Sequence, residues 1–255
     1  MKKILFYGAM MCALGMMLGA CTEKENVNGT TTDSTPAEPT DTIPTPTEGE
    51  WIDLGLPSGL LWASCNVGAN TPTQYGNYYA WGETQPKNVY NYGTYVYCNG
   101  FNYILTKYNS NPGRGTVDSL TTLEPMDDAA TVNLGNGART PTYYDWLELT
   151  ANCTMKYIYY NNNGEDYDYI SYIHGHLFIG PNGNSIFLPC AGWRKGDGWG
   201  DYRNGGQGYY WSASTYEGQG TPGDVWAFLT NVDLERRMLT FGRAWGLSVR
   251  AVRPQ

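Results

Sequence analysis

Charge is scarce in this chain: Asp, Glu, Lys and Arg make up 16% of its 255 residues, where a soluble domain ordinarily carries about 25%. From Trp51 to Gln255 there are 13 Lys and Arg against 17 Asp and Glu. That balance lacks the positive field that draws nucleic acid, so no nucleic-acid partner is expected. Histidine is rarer still, with only His174 and His176 in "IHGHL". In an extended chain the two would point the same way, but two imidazoles make an incomplete metal set. A partly exposed turn between strands is their expected setting. The acidic "GEDYDY", with Glu165, Asp166 and Asp168, offers oxygen ligands of the kind calcium prefers but not its regular loop spacing. No metal and no cofactor are expected. The cysteines are too widely spaced for a zinc pattern. Four of them, Cys65, Cys98, Cys153 and Cys190, allow three disulfide pairings. Free buried thiols, or at most one bridge, are favoured, because a domain of about 205 residues buries enough surface without staples. No glycine-rich run follows a buried strand and opens a helix, so the 32 glycines read as turns rather than as a phosphate cradle.

The N-terminus is distinct from the rest. Met1, Lys2 and Lys3 precede "ILFYGAMMCALGMMLGA" and Cys21, a basic start and an apolar run slightly too short for a bilayer-spanning helix. Residues 1–20 read as a secretory signal. Its end, "LGAC", resembles a bacterial lipobox, which implies that Cys21 becomes the acylated first residue of the mature protein and holds it to a membrane. Residues 21–50 are rich in Thr, Pro and acidic side chains, and a segment with so little to bury cannot offset its chain entropy. An extended, solvated stalk is expected there. Glu23, Lys24 and Glu25 resemble the export signal of surface-exposed Bacteroidetes lipoproteins, and "DST", "DTI" and "DSL" resemble that group's O-glycosylation sequon.

Residues 51–255 form the expected domain. The chain's 22 tyrosines, all but Tyr7 in this domain, belong to the whole-chain aromatic share of 15%; with many glycines and little charge, they suit a strand-rich, loop-rich extracellular module. "WIDLGLPSGLLWASCNVGA" reads as strand, Pro/Gly turn, strand. The stretch from "YGNYYAWGET" to Tyr108 is Tyr/Asn-rich loop with short strands. Helical signals are confined to two places. In "TTLEPMDDAATVNLG", Glu124, Asp127 and Asp128 suit a helix start. In "RTPTYYDWLELTANC", Thr142 and Asp145 have capping-box spacing, with Trp146, Leu149 and Cys153 on one face. "HLFIGPNGNSIFLPC" predicts strands over 177–179 and 185–188, joined where Asn182 and Gly183 take positive φ. A glycine-rich loop then leads into a strand at 209–212. The closing "LSVRAVR" places Leu247, Val249 and Ala251 on one face and Ser248 and Arg250 on the other. The fold class is α+β, with two short helices.

In order along the chain, "DLGLPSGLLWASCNVGA", "YGNYYAWGET", "TTLEPMDDAA", "RTPTYYDWLEL", "GPNGNSIFLPCAGWR", "YYWSAS" and "GLSVRAVR" resemble a large paralogous group of Bacteroidetes surface lipoproteins. The resemblance implies a single C-type-lectin-like domain, related to sulfatase-modifying-factor domains and to retroelement-diversified variable proteins. It also implies that the first strand lies beside the last, bringing both domain ends to the stalk. The sulfatase-modifying relatives use a C-terminal cysteine pair. This chain has no cysteine after Cys190, so an enzyme is not expected. The EPN- or QPD-type loop and WND-type strand of calcium-dependent sugar lectins are missing too.

The segment between "YYWSAS" and "GLSVRAVR" departs from the group's Asn/Tyr-rich pattern. Aromatic and Arg side chains concentrate in recognition patches because they bring large area or a planar donor fork at few torsions. The expected ligand-binding set is Arg194, Tyr202, Trp226, Thr230, Asn231, Arg236, Arg237, Phe241 and Trp245. Phe228 and Leu239 are assigned inward, and Arg236, Arg237 and Trp245 outward. Arg236, Arg237, Arg243, Arg250 and Arg253 make this end locally basic. The expected protein is an outer-membrane lipoprotein, monomeric and exposed at the cell surface, that binds an external protein or glycan through a fixed rather than actively diversified segment. A tip-like structural subunit or a degenerate sulfatase-modifying-like enzyme are the alternatives.

Overall fold

The structure, a computed structural model, describes residues 49–100, 103–161, 172–200, 206–216, 224–231, 233 and 236–255. The expected signal, Cys21 and all but the last two residues of the expected stalk, as well as Glu165, Asp166, Asp168 and Tyr202, lie outside the described residues. In chain order the elements are β1 (Trp51–Asp53), β2 (Leu61–Asn66), α1 (Ala129–Leu134), α2 (Tyr143–Asn152), β3 (Thr154–Asn161), β4 (Tyr172–Ile179), β5 (Ser185–Pro189), β6 (Trp193–Lys195), β7 (Gly198–Gly200), β8 (Gly208–Thr215), β9 (Asp224–Thr230), β10 (Arg236–Gly242) and β11 (Arg250–Arg253). The architecture is α+β: mostly short antiparallel strands with two short helices. No described helix is long and apolar enough to cross a membrane.

The strands form three three-stranded sheets, in the orders β1-β2-β11, β10-β9-β8 and β3-β4-β5, and the hairpin β6-β7. The expectation that the first strand lies directly beside the last is corrected. Both pair with β2, from opposite sides, because the tight "LPSG" turn folds β2 back onto β1 and leaves β2's other edge for β11. The two ends of the domain still meet: the Arg253 guanidinium sits 4.5 Å from the centre of the Trp51 ring.

Helix α2 forms where its sequence places it. Thr142 accepts from the Asp145 backbone N–H, and the Asp145 side chain accepts from the Thr142 N–H, closing the capping box. Two of the N-terminal donors that a helix leaves unsatisfied are thereby satisfied. Its apolar face is buried, with Trp146 stacked on Phe228 of β9 at 4.4 Å and 12°. Asp128 caps α1 by accepting from the Ala130 N–H.

Three other expectations change. Only Gly183 takes positive φ in the β4–β5 turn, at 86°; the loop 180–184 is longer than a two-residue hairpin, so Asn182 is free to donate to the Asp53 carbonyl at 2.9 Å. The Tyr/Asn-rich stretch contains no strands among its described residues. It is held by isolated bridges to distant segments, Tyr79 to Leu247 and Tyr90 to Gly196 among them. His174 and His176 lie within β4, both buried, not in a partly exposed turn. The polar face of the closing segment is buried as well, with Ser248 and Arg250 fully enclosed.

The core has two main parts. One gathers Trp81, Tyr108, Trp211, Ala227 and Val249 behind the β10-β9-β8 sheet. The other gathers Trp62, Trp146, Phe178, Leu188 and Phe228 around α2. Sheet β10-β9-β8 lies between them because Val225, Ala227 and Leu229 of β9 face one part while Phe228 faces the other. All four domain cysteines are free thiols; Cys65, Cys153 and Cys190 are buried.

Candidate functional site

Strand β10 is the edge of its sheet, and along that edge lies a cleft of about 580 Å³, lined by Tyr92, Tyr103, Arg114, Asp224, Leu239, Thr240, Phe241, Gly242 and Trp245. Its size falls within the range of roughly 300–1,000 Å³ typical of small-ligand pockets. Three chain segments build it. β10 and the turn after it supply Leu239 to Trp245. β9 supplies Asp224, opposite Gly242 in the register. The Tyr-rich loop and the short 3₁₀ turn at Pro112–Arg114 supply the other wall.

The β10 wall is stiff. Phe241 is buried and meets Trp211, Tyr209, Trp193 and Trp245 edge-on or tilted. Trp245 stacks on Trp193 at 4.8 Å and 14°, with the Lys195 ammonium 4.6 Å from its ring centre. Such ring packing holds side chains with little freedom left to lose on binding. Behind Trp245, a β-carbon on Gly246 would stand 2.7 Å from the Tyr90 ring, so only glycine lets the Tyr-rich loop approach this closely.

Behind the opposite wall, reached through the Tyr92, Tyr95 and Tyr97 rings, lies a polar network that does not itself line the cleft. Lys107 bridges Glu124 and Asp127, and the phenols of Tyr97 and Tyr108 donate to Asp127 at 2.5 and 2.6 Å. Burial alone would raise the Asp127 pKa. The hydrogen bonds from Lys107, Tyr108 and Tyr97, with the Lys107 charge, outweigh it and hold the carboxyl below its usual range. Burial first, then the bond to Asp127, pushes both phenols up, so they remain donors. Arg243 adds a clamp from β10's side, donating to the Tyr108 carbonyl at 3.1 Å. Tyr92, half-buried, is pushed up to about 12 by burial and by the nearby Asp224 charge. Beside it, Tyr103 is 49% exposed, its ring centre 4.6 Å away. Tyr103 has φ 56°, a left-handed conformation that costs a non-glycine residue about 1–2 kcal/mol. Surrounding structure has to impose it.

Of the nine sequence-predicted binding residues, the cleft brings together Phe241 and Trp245. Arg194 serves the frame: its guanidinium lies 5.2 Å from the Tyr90 ring centre and donates to the Asn88 carbonyl at 3.2 Å. Thr230 and Asn231 are buried, the latter accepting from His176 Nε2 through its carbonyl at 2.7 Å; the end of β9 runs inward under β4. Trp226 packs in a separate ring cluster between Tyr143 and Tyr216, at 4.6 and 4.9 Å. Arg236 and Arg237 are exposed as expected, Arg236 donating to the Cys153 carbonyl at 3.0 Å, and neither lines the cleft. Phe228 points inward as assigned, while Leu239 packs against the core and also lines the cleft. Two of the segment's five arginines, Arg243 and Arg250, are buried, which leaves Arg236, Arg237 and Arg253 to carry its basic character at the surface.

Sequence reasoning missed Tyr92, Tyr103, Arg114 and Asp224. The available signal was composition: Tyr, Gly and Asn together in one irregular stretch is how loop-built recognition surfaces are composed. A second cavity of about 430 Å³ touches Gly49, Glu50, Trp51 and Arg253. Among the described residues, no three His, Cys, Asp or Glu side chains gather where a metal ion would sit. Cys190 and His176 lie 3.7 Å apart, but both are fully buried, and burial pushes the thiol up and the imidazole down to about 4. They form a neutral, enclosed pair. No family model, curated protein or solved structure matches the chain.

Proposed function

We propose that this chain is a lipoprotein, tethered to the outer membrane through Cys21 and displayed at the cell surface, whose C-type-lectin-like domain binds an external protein or glycan. The carrying observation is the aromatic cleft on the β10 edge, where Tyr103, Phe241 and Trp245 meet Arg114 and Asp224. A mostly apolar concavity with a few convergent polar groups is the ordinary form of a ligand site. The meeting of the domain's two ends at Trp51 and Arg253 suits a module raised on a stalk. The domain acts by recognition alone, as a monomer.

Two measurements test this. Protease shaving of intact cells should release the domain from its anchor; a domain wholly protected from protease would reject surface display. On glycan and protein arrays, Tyr103→Ala and Trp245→Ala should abolish the binding seen with the parent protein, whereas Arg236→Ala and Arg237→Ala should leave it. Binding that survives both cleft substitutions would place the site elsewhere.

A further inference from the structure

Several polar groups of the cleft are uncommitted. Among the described residues, the hydroxyls of Tyr92, Tyr103 and Thr240 and the indole N–H of Trp245 make no hydrogen bond, and the Arg114 guanidinium makes neither a hydrogen bond nor an ion pair. Asp224, by contrast, has a partner within the fold. Arg114 is half-buried at the end of its 3₁₀ turn, and its carbonyl accepts from the Leu105 N–H at 2.6 Å. The backbone therefore fixes where the side chain starts, beside the loop that carries Tyr103. Lys195, over Trp245, puts a second cation near the cleft. On a chain of net charge −8, these are the charges a negative ligand would find.

We infer that the cleft takes an acidic sugar: a carboxylate-bearing pyranose whose carboxylate pairs with Arg114 while its ring lies against Tyr103. This rests on the ligand-binding reading of the cleft. A guanidinium presents a planar fork that matches a carboxylate with two parallel hydrogen bonds. A pyranose has an apolar C–H face suited to an exposed phenol ring and an edge of hydroxyls. Those hydroxyls need both donors and acceptors. Trp245 N–H and the protonated Tyr92 phenol donate, the Asp224 carboxylate accepts, and Thr240 does either. A neutral apolar ligand would leave Arg114 desolvated without a partner, and an acidic ligand without hydroxyls would leave the other groups unused.

The test is calorimetric titration of the full chain in detergent micelles. The probes are oligogalacturonate against its methyl ester, and sialyllactose against lactose. The two pairs separate a uronic acid from a sialic acid as the source of the carboxylate. At least one acid should bind ten-fold or more tightly than its neutral partner, and added salt should shrink the difference. Arg114→Gln should abolish that preference with the melting temperature unchanged, because only the Arg114 backbone is used by the fold; Arg114→Lys should keep part of it. Equal binding of acid and neutral sugar, or a preference that survives Arg114→Gln, overturns the acidic-sugar inference and leaves the cleft standing. Sugar binding that survives Tyr103→Ala and Trp245→Ala overturns the cleft itself. Failure of every sugar to bind the parent protein also overturns the inference.

Discussion

The closing strand and the cleft each hold an arginine, and the two are treated in opposite ways. Arg250 in β11 is fully buried, and its guanidinium donates to Asn66 Oδ1 and to the carbonyls of Ala63, Ser64 and Phe187 at 2.8–2.9 Å. It joins the β1-β2-β11 sheet to β5 of another sheet. Arg114 reaches no acceptor among the described residues and opens onto the cleft. A buried charge is tolerated only when its hydrogen bonds are satisfied, so the first arginine has its environment built around it. The second is left with its bonding capacity intact. Of these two arginines, the satisfied one belongs to the frame of the molecule, and the uncommitted one faces the surface on which it can act.

Substitutions should sort along that line. Arg250→Met should have the largest effect, because it strands four oxygen acceptors in the core, each costing about 1–3 kcal/mol if left unsatisfied; the loss is read from the urea midpoint. Ligand affinity per folded molecule should not change.

Acid should act next, again on the frame. Burial holds the His176 pKa down to about 4, against the pull of its bond to the Asn231 carbonyl. The unfolded chain takes up that proton near pH 6.5. The stability this group confers is therefore complete above pH 6.5 and declines as pH falls toward 4, by roughly 3 kcal/mol. Urea midpoints across that window should fall in the parent protein and stay flatter in His176→Gln; parallel profiles would mean that another group controls the acid response.

Asp127→Asn tests whether the two regions are separable. Losing the Lys107 pair and weakening the Tyr97 and Tyr108 bonds should cost about 2 kcal/mol, a charge-assisted hydrogen bond's share with part of the pair exposed. Because this network braces the cleft's outer wall, affinity should weaken as well. Unchanged affinity would show the wall to be held by its ring packing alone. Tyr103→Gly should have the smallest effect on stability, within about 0.5 kcal/mol, since glycine relieves the left-handed strain while losing a half-exposed ring. Its effect on binding should nevertheless be complete. A melting curve beside an array measurement checks both halves.

The elements most legible in the sequence are those made by near neighbours. The capping box at Thr142 and Asp145, the acidic start of α1, the strand-turn-strand at 51–66 and the turn at Gly183 each depend on residues a few positions apart. The Tyr-rich stretch gave no reliable period because its backbone is satisfied by distant partners, Leu247 and Gly196 for example. The binding set failed for a related reason. Whether Thr230 or Arg194 faces water is decided by β4 and by the Tyr90 loop, not by alternation along their own strands.

What the sequence by itself determined is therefore local: helices, caps, turns, the α+β balance, and the basic-apolar-Cys21 pattern at the N-terminus. Only the tertiary structure decided that Arg250 is a joint and Arg114 is not. Only it brought Tyr92, Tyr103 and Asp224 to Trp245. Short-range patterns are fixed by backbone geometry that repeats every few residues, whereas exposure and convergence follow from contacts between segments far apart in the chain, which no local pattern encodes.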